Sequence, residues 1–159
     1  MPETGNVNLN ANDSKAYHDI GAQYFDANGA MFFYAQFDNG SGNVTAVAGQ
    51  PIGWLGSMPG GKVTNDFSDS HVNQVTGIMQ RVMTDQYYGW FQARGKGVKG
   101  LTLAAGTSTD GQKLVWSGDG TVSAMTDPGN EEAVFATTTA ASTLTAIAAG
   151  NYFLHVLGI

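Results

Sequence analysis

From Tyr17 onward the chain carries short apolar and aromatic runs separated by glycine, asparagine and aspartate, and no long stretch holds the spacing of an amphipathic helix. The run "AMFFYAQF", Ala30 to Phe37, follows the turn Asp26-Ala27-Asn28-Gly29 and precedes Asp38-Asn39-Gly40-Ser41-Gly42-Asn43. Asn-Gly and Asp-Asn-Gly supply the positive φ values that hairpins need, so this run reads as a strand between two turns. "VTAVAGQPIGWL", Val44 to Leu55, reads as a strand, a Gly-Gln-Pro break and a short strand ending in Trp54, and "GSMPGGK" as a loop.

The segment from residue 70 to 84 admits two patterns. Val72, Val75, Met79 and Val82 have helical spacing, with Ser70 as a cap. At period two, Val75, Gly77, Met79 and Met83 share one face, and Ile78 and Val82 the other. Gly77 and the β-branched residues favour a strand leading through Asp85-Gln86 into a further strand at 87–94. After Gly100, "LTLAAGTSTDGQKLVWSGDGTVSAM" gives three brief strands, and "AVFATTTA" and "NYFLHVLGI" two more. Turn signals this frequent predict an all-β fold, a compact β-barrel or β-sandwich with little helix. Residues 1–15 are polar and without period, an extended N-terminal arm ordered only if something holds it; residues 16–159 form a single β domain.

Composition narrows what such a domain does. The 159 residues contain no cysteine, which excludes disulfides, thiolate metal sites and cysteine nucleophiles. The N-terminus has neither a basic nor an apolar region of the secretory kind, and no apolar run approaches the ~18 residues of a membrane span, so a soluble protein made in the cytoplasm is expected. Glycosylation-like triplets at Asn12, Asn39 and Asn43 then read as accidental. Charged residues make up only 13% of the chain, against about 25% in ordinary domains, and glycine is abundant at 22 residues. That balance suits a surface covered by neighbours in an assembly, because charge is depleted in interface cores. A net charge of −6 argues against a nucleic-acid partner.

"YYGWFQARGKGVKGLTLAAG", residues 87 to 106, places Gly95, Gly97 and Gly100 at the spacing G-x-G-x-x-G. A dinucleotide site needs those glycines between a strand and a helix, with the helix N-terminus facing the pyrophosphate. Leu101 to Thr107 is too rich in breakers for a helix, so the stretch reads as a strand turning a corner at Gly95–Gly97. Arg94, Lys96 and Lys99 are three of only seven basic residues, and read second as a contact for an acidic partner surface.

No other grouping converges on chemistry. His18, His71 and His155 are far apart and match no metal motif; His155 alternates with Phe153 and Leu157 as a half-buried residue would. His18-Asp19 and Asp69-Ser70-His71 hold residue types of a hydrolase triad without its G-x-S-x-G elbow. "DFSDS" and "DNGSGN" hold oxygen ligands without the twelve-residue calcium loop. No catalytic residue, cofactor or metal is therefore expected, and the protein reads as a non-enzyme. Trp54, Trp90 and Trp116 with Tyr87, Tyr88 and Phe91 read first as core or subunit interface and second as a sugar-stacking platform. Tyr87-Tyr88 and Trp90-Phe91 put aromatic groups on both faces of one strand, so both faces should be covered, one of them by a neighbouring subunit. Trp54, Tyr88 and Trp90, with Arg94, Lys96 and Lys99, are the candidate interface residues.

The segments "AGQPIGWL", "YYGWFQARG" and "GQKLVWSGDGTV", in this order and followed by a final apolar strand, resemble the small decoration (cement) proteins of tailed-bacteriophage heads. The likeness spans about two-thirds of the chain and rests on strand and turn signals, with no catalytic residue to carry over. It implies a β domain bound to the outer surface of an assembled capsid, with the major capsid protein as partner. It also implies self-association as a trimer or a dimer, and an N-terminal segment that orders on the shell. Two other readings stay open: another virion β-protein of the tail tube, connector or fibre base, and a carbohydrate-binding β-sandwich module.

Overall fold

The computed structural model describes residues 7–56, 61–68 and 75–100 and the strands at 106–108, 113–118, 121–124, 136–138, 142–144 and 148–154; from residue 96 onward only the backbone is described. The chain order is β1 (Gln23–Phe25), β2 (Met31–Asp38), β3 (Pro51–Trp54), β4 (Lys62–Thr64), β5 (Val75–Ile78), β6 (Tyr88–Gly100), β7 (Gly106–Ser108), β8 (Lys113–Gly118), β9 (Thr121–Ala124), β10 (Ala136–Thr138), β11 (Ser142–Leu144) and β12 (Ala148–Leu154). No helix occurs among the described residues, and the all-β expectation holds.

Five of these strands close on themselves. β2 pairs in parallel with β4, β4 with β3, β3 with β5, β5 with β6, and β6 returns antiparallel to β2, with Phe33 opposite Phe91. Closure leaves none of the five as a bare sheet edge over its whole length. β1 adds to β2 beside the barrel. The second half of β6 leaves it and pairs with β12, from which β10, β8 and β9 continue the same ten-stranded sheet.

Period-two alternation in β2 and β6 generates the core. Met31, Phe33, Ala35 and Phe37 point inward with Ile52, Trp54, Val63, Met79, Phe91 and Ala93. The intervening Phe32 and Tyr34, with Trp90, form a second buried cluster on the outside of the same two strands. The segment at 75–84 is a strand only from Val75 to Ile78; the chain then loops through Met79 and Met83, both buried, while Val82 is exposed. Residues 71–74, on which the helical alternative partly rested, lie outside the described residues.

One expected strand is absent. Val44 to Ala48 is irregular, because the carbonyls of Val44 and Thr45 accept side-chain amides: Asn65 Nδ2 donates to both and Gln50 Nε2 to Thr45. β4 went unrecognised: its three residues offer too short a pattern to read.

Candidate functional site

Gly95, Gly97 and Gly100 all lie inside β6, which runs unbroken from Tyr88 to Gly100. The motif is therefore a strand that changes partners: Arg94 stands opposite Met31 of β2, and Gly95 opposite Leu154 of β12. Gly95 has φ +116°, and a Cβ there would lie 2.8 Å from the Ala30 Cα, so only glycine fits this corner. Arg94 is exposed beside it and forms no ion pair with a described residue. Lys96 and Lys99 follow on the β6 backbone; their side chains lie outside the described residues.

Trp54 and Trp90, expected at an interface, are instead only 4% and 1% exposed. Trp54 stacks at 5.0 Å on Phe33 inside the barrel. Trp90 lies in the outer cluster among Tyr34 (5.2 Å), Tyr24 (6.2 Å) and His18 (5.0 Å). Neither indole has a face to offer a partner or a sugar, and Tyr88 is half-buried, stacked on Tyr34. Alternation put Trp90 and Phe91 on opposite faces as expected, but the outer face is covered by this chain and not by a neighbouring subunit. Trp116, Asp69, Ser70, His71 and His155 are expectations that lie outside the described residues or side chains.

The cover is the segment from Val7 to Ala22. Val7 and Leu9 pack on the outer cluster, Ala11 is buried within it, and Asp13 exchanges two backbone hydrogen bonds with Tyr88, at 3.0 and 2.8 Å. Asn12 and Thr84 bond reciprocally, Asn12 Nδ2 donating to Thr84 Oγ1 and Thr84 N–H to Asn12 Oδ1. Further on, the Tyr17 N–H donates to the Tyr34 hydroxyl at 3.2 Å, and the Gly21 N–H to the Tyr34 carbonyl at 2.8 Å. Of the arm expected at 1–15, residues 1–6 lie outside the described residues, whereas 7–15 are ordered by the barrel itself. Burial pushes the Tyr34 phenol above its ordinary value of 10.0, outweighing the opposite effect of the Tyr17 hydrogen bond. His18 stands edge-on to Tyr34 and Trp90.

At one end of the barrel, the two oxygen-rich stretches meet. Asp66 is fully buried, and its carboxylate accepts from the Gly42 N–H at 2.7 Å and from both the N–H and hydroxyl of Ser68. A Cβ on Gly40 would fall 2.2 Å from that of Asp66, so the loop closes on the aspartate only with glycine there. The donors make this a clamp on the loop, and no trio of His, Cys, Asp or Glu able to hold a metal occurs among the described residues. No local spacing could have shown this contact, because its partners are 24 residues apart.

A second polar latch joins Asp38, Lys62 and Gln86. Lys62 Nζ bonds Asp38 at 3.0 Å and Gln86 Oε1 at 2.8 Å. Burial alone would raise the Asp38 carboxyl; hydrogen bonds with Gln86, Lys62 and the Gly40 N–H, and the charge of Lys62, outweigh it and hold the group below 3.8. Both latches are part of the scaffold. Among the described residues, Arg94 at the corner and the large apolar side chains of Tyr17, Ile20, Phe25 and Val82 are presented outward. Comparisons with protein-family models, with curated proteins and with solved structures find no match for this chain.

Proposed function

We propose that this protein is a virion structural component that binds the outer surface of an assembled phage capsid and stabilises it. The observation carrying the proposal is where the resembling stretches fall: on β3, on β6 and on the β8–β9 hairpin, all strands of one sheet. A cement protein resists outward pressure on the shell by bridging capsomers, so its useful property is a stiff body with short turns. The closed barrel, filled on both sides of β2 and β6, supports that role. Many identical weak contacts add by avidity, so modest affinity per site suffices.

In this reading the partner is the major capsid protein of the same virion, approached through the basic corner of Arg94, Lys96 and Lys99. The protein carries no cofactor, turns over no substrate, binds no nucleic acid or membrane, and resides on the capsid exterior after synthesis in the host cytoplasm. It self-associates as a trimer or a dimer. Sedimentation with empty phage shells tests this: the purified chain should pellet with shells and stay in solution without them. A folded chain that remains in the supernatant at saturating shell concentration overturns the reading, and pelleting with tails alone would move it to a tail role.

A further inference from the structure

β1 ends the ten-stranded sheet, and among the described residues its only strand neighbour is β2. The Tyr34 N–H donates to the Ala22 carbonyl, and the Asp26 N–H to the Ala30 carbonyl. The Ala22 carbonyl and the Asp26 N–H therefore face the β2 side, the Ala22 N–H donating instead to the Asp19 carbonyl, and by alternation Tyr24 turns its backbone groups to β2 while Gln23 and Phe25 turn theirs away. No hydrogen bond is made by the outward N–H and C=O groups of Gln23 and Phe25 to any described residue.

Apart from its shortness, three residues, this edge has none of the usual protection. From Ile20 to Phe25 the sequence IGAQYF contains no charge and no proline, and the β1–β2 register is free of bulges. Three of the four exposed large apolar residues among those described, Tyr17, Ile20 and Phe25, lie on the segment that carries it, with Phe25 47% exposed.

We propose that β1 is the contact through which two copies of this chain associate, antiparallel about a two-fold axis at Tyr24. The register argues for a second copy as the occupant. With the axis there, Gln23 of each copy faces Phe25 of the other, and these are the residues whose backbone groups point outward, so both pairs exchange two hydrogen bonds each. Tyr24 then faces its own copy in the close, non-hydrogen-bonded position, joining the two outer aromatic clusters through a cross-strand pair. Asp26 falls opposite Ala22, and its carboxylate is already engaged by the N–H groups of Asn28 and Ala30, so no like charges meet despite the net −6 of each chain. The contact is isologous and closes at two copies.

Sedimentation velocity of the full chain over a wide concentration range tests this, without shells and so independently of the capsid reading. The chain should reach the mass of a dimer. Gln23→Pro removes an outward donor and spares every bond to β2; two lost hydrogen bonds per dimer should weaken association about thirtyfold. Phe25→Lys, an edge charge, should abolish it. Circular dichroism establishes that both variants stay folded. The inference is overturned by a monomer at all concentrations, by a trimer, or by a dimer that both folded variants leave intact.

Discussion

β2 and β6 carry two buried faces that differ in kind. The inner one, around Phe33, Phe37, Phe91 and Ile52, is apolar and is sealed by strands meeting in a closed ring. The outer one is built from Tyr34, Trp90, Tyr24, Tyr88 and His18 and is sealed by a single irregular strap from Val7 to Ala22. The side chains of Phe33, Phe37, Phe91 and Ile52 carry no group that needs a polar partner. On the outer face the aromatic rings carry hydroxyls and ring nitrogens, and one of them, the Tyr34 hydroxyl, serves to tie down the strap. A strand alternating Phe with Tyr and Trp therefore specifies a core on one side and an anchoring surface on the other.

The largest test of that contrast is on the inner side. Phe33 is fully buried and touches both Trp54 and Phe91, at 5.0 and 5.8 Å. Phe33→Ala should cost about 4 kcal/mol, read from the urea midpoint at unchanged m-value. A loss below about 2 kcal/mol would mean that the barrel interior collapses around the gap, and that the inner face is no more tightly built than the outer.

Removal of residues 1–15 tests the seal on the outer side. Val7, Leu9 and Ala11 and the paired bonds of Asp13 with Tyr88 are lost, for a cost of about 3 kcal/mol. Trp90 is then uncovered, so the tryptophan emission should shift to the red while far-ultraviolet circular dichroism retains the strand signal. Unchanged stability and emission would make the strap a passenger on the barrel.

The pattern left open what holds the arm, for a physical reason. Among the described residues of the arm, Val7, Leu9 and Ala11 pack on the outer cluster, an alternation too short to stand out as a strand, and the rest of the attachment is backbone bonding and the Asn12–Thr84 pair. Alternation made β2 and the first half of β6 legible, because each face of those strands is buried as a whole. It could not show that β4 pairs in parallel with β2 to close the ring, since register between distant strands leaves no local mark. The same holds at the candidate site. The glycine corner at Gly95 was readable from the turn residues themselves, whereas the burial of Trp54 inside the barrel and of Trp90 outside it depended on a closure and a strap lying elsewhere in the chain.

Tyr34→Phe sharpens the comparison by removing only the hydroxyl. The Tyr17 N–H loses its acceptor, at about 1 kcal/mol, and its amide hydrogen should exchange faster. The pH dependence has a definite sign. The folded pKa is raised above 10.0, so the native state holds its proton where the unfolded chain releases it. The corresponding stability is intact below pH 10 and declines as pH rises beyond it. The variant should lack this tyrosine's share of the alkaline decline. An identical alkaline limb in both proteins would assign the decline to other groups.

The smallest effect is expected at Trp90, where two terms oppose. Its indole Nε1 is buried with no acceptor among the described residues. Trp90→Phe surrenders part of a large ring, about 1 kcal/mol of apolar burial, and at the same time removes a donor whose burial costs a similar amount. The variant should lie within about 0.5 kcal/mol of the parent in urea midpoint. The inner face offers no such cancellation, since Phe33 and Phe91 carry no polar atom whose loss could compensate. A loss above about 2 kcal/mol would show that the indole N–H is satisfied in solution and that packing on the outer face is as exacting as in the barrel. A near-neutral result would show that the breadth of Trp90, as the surface on which Tyr24, Tyr34 and His18 lie, is offset by the cost of burying its indole N–H.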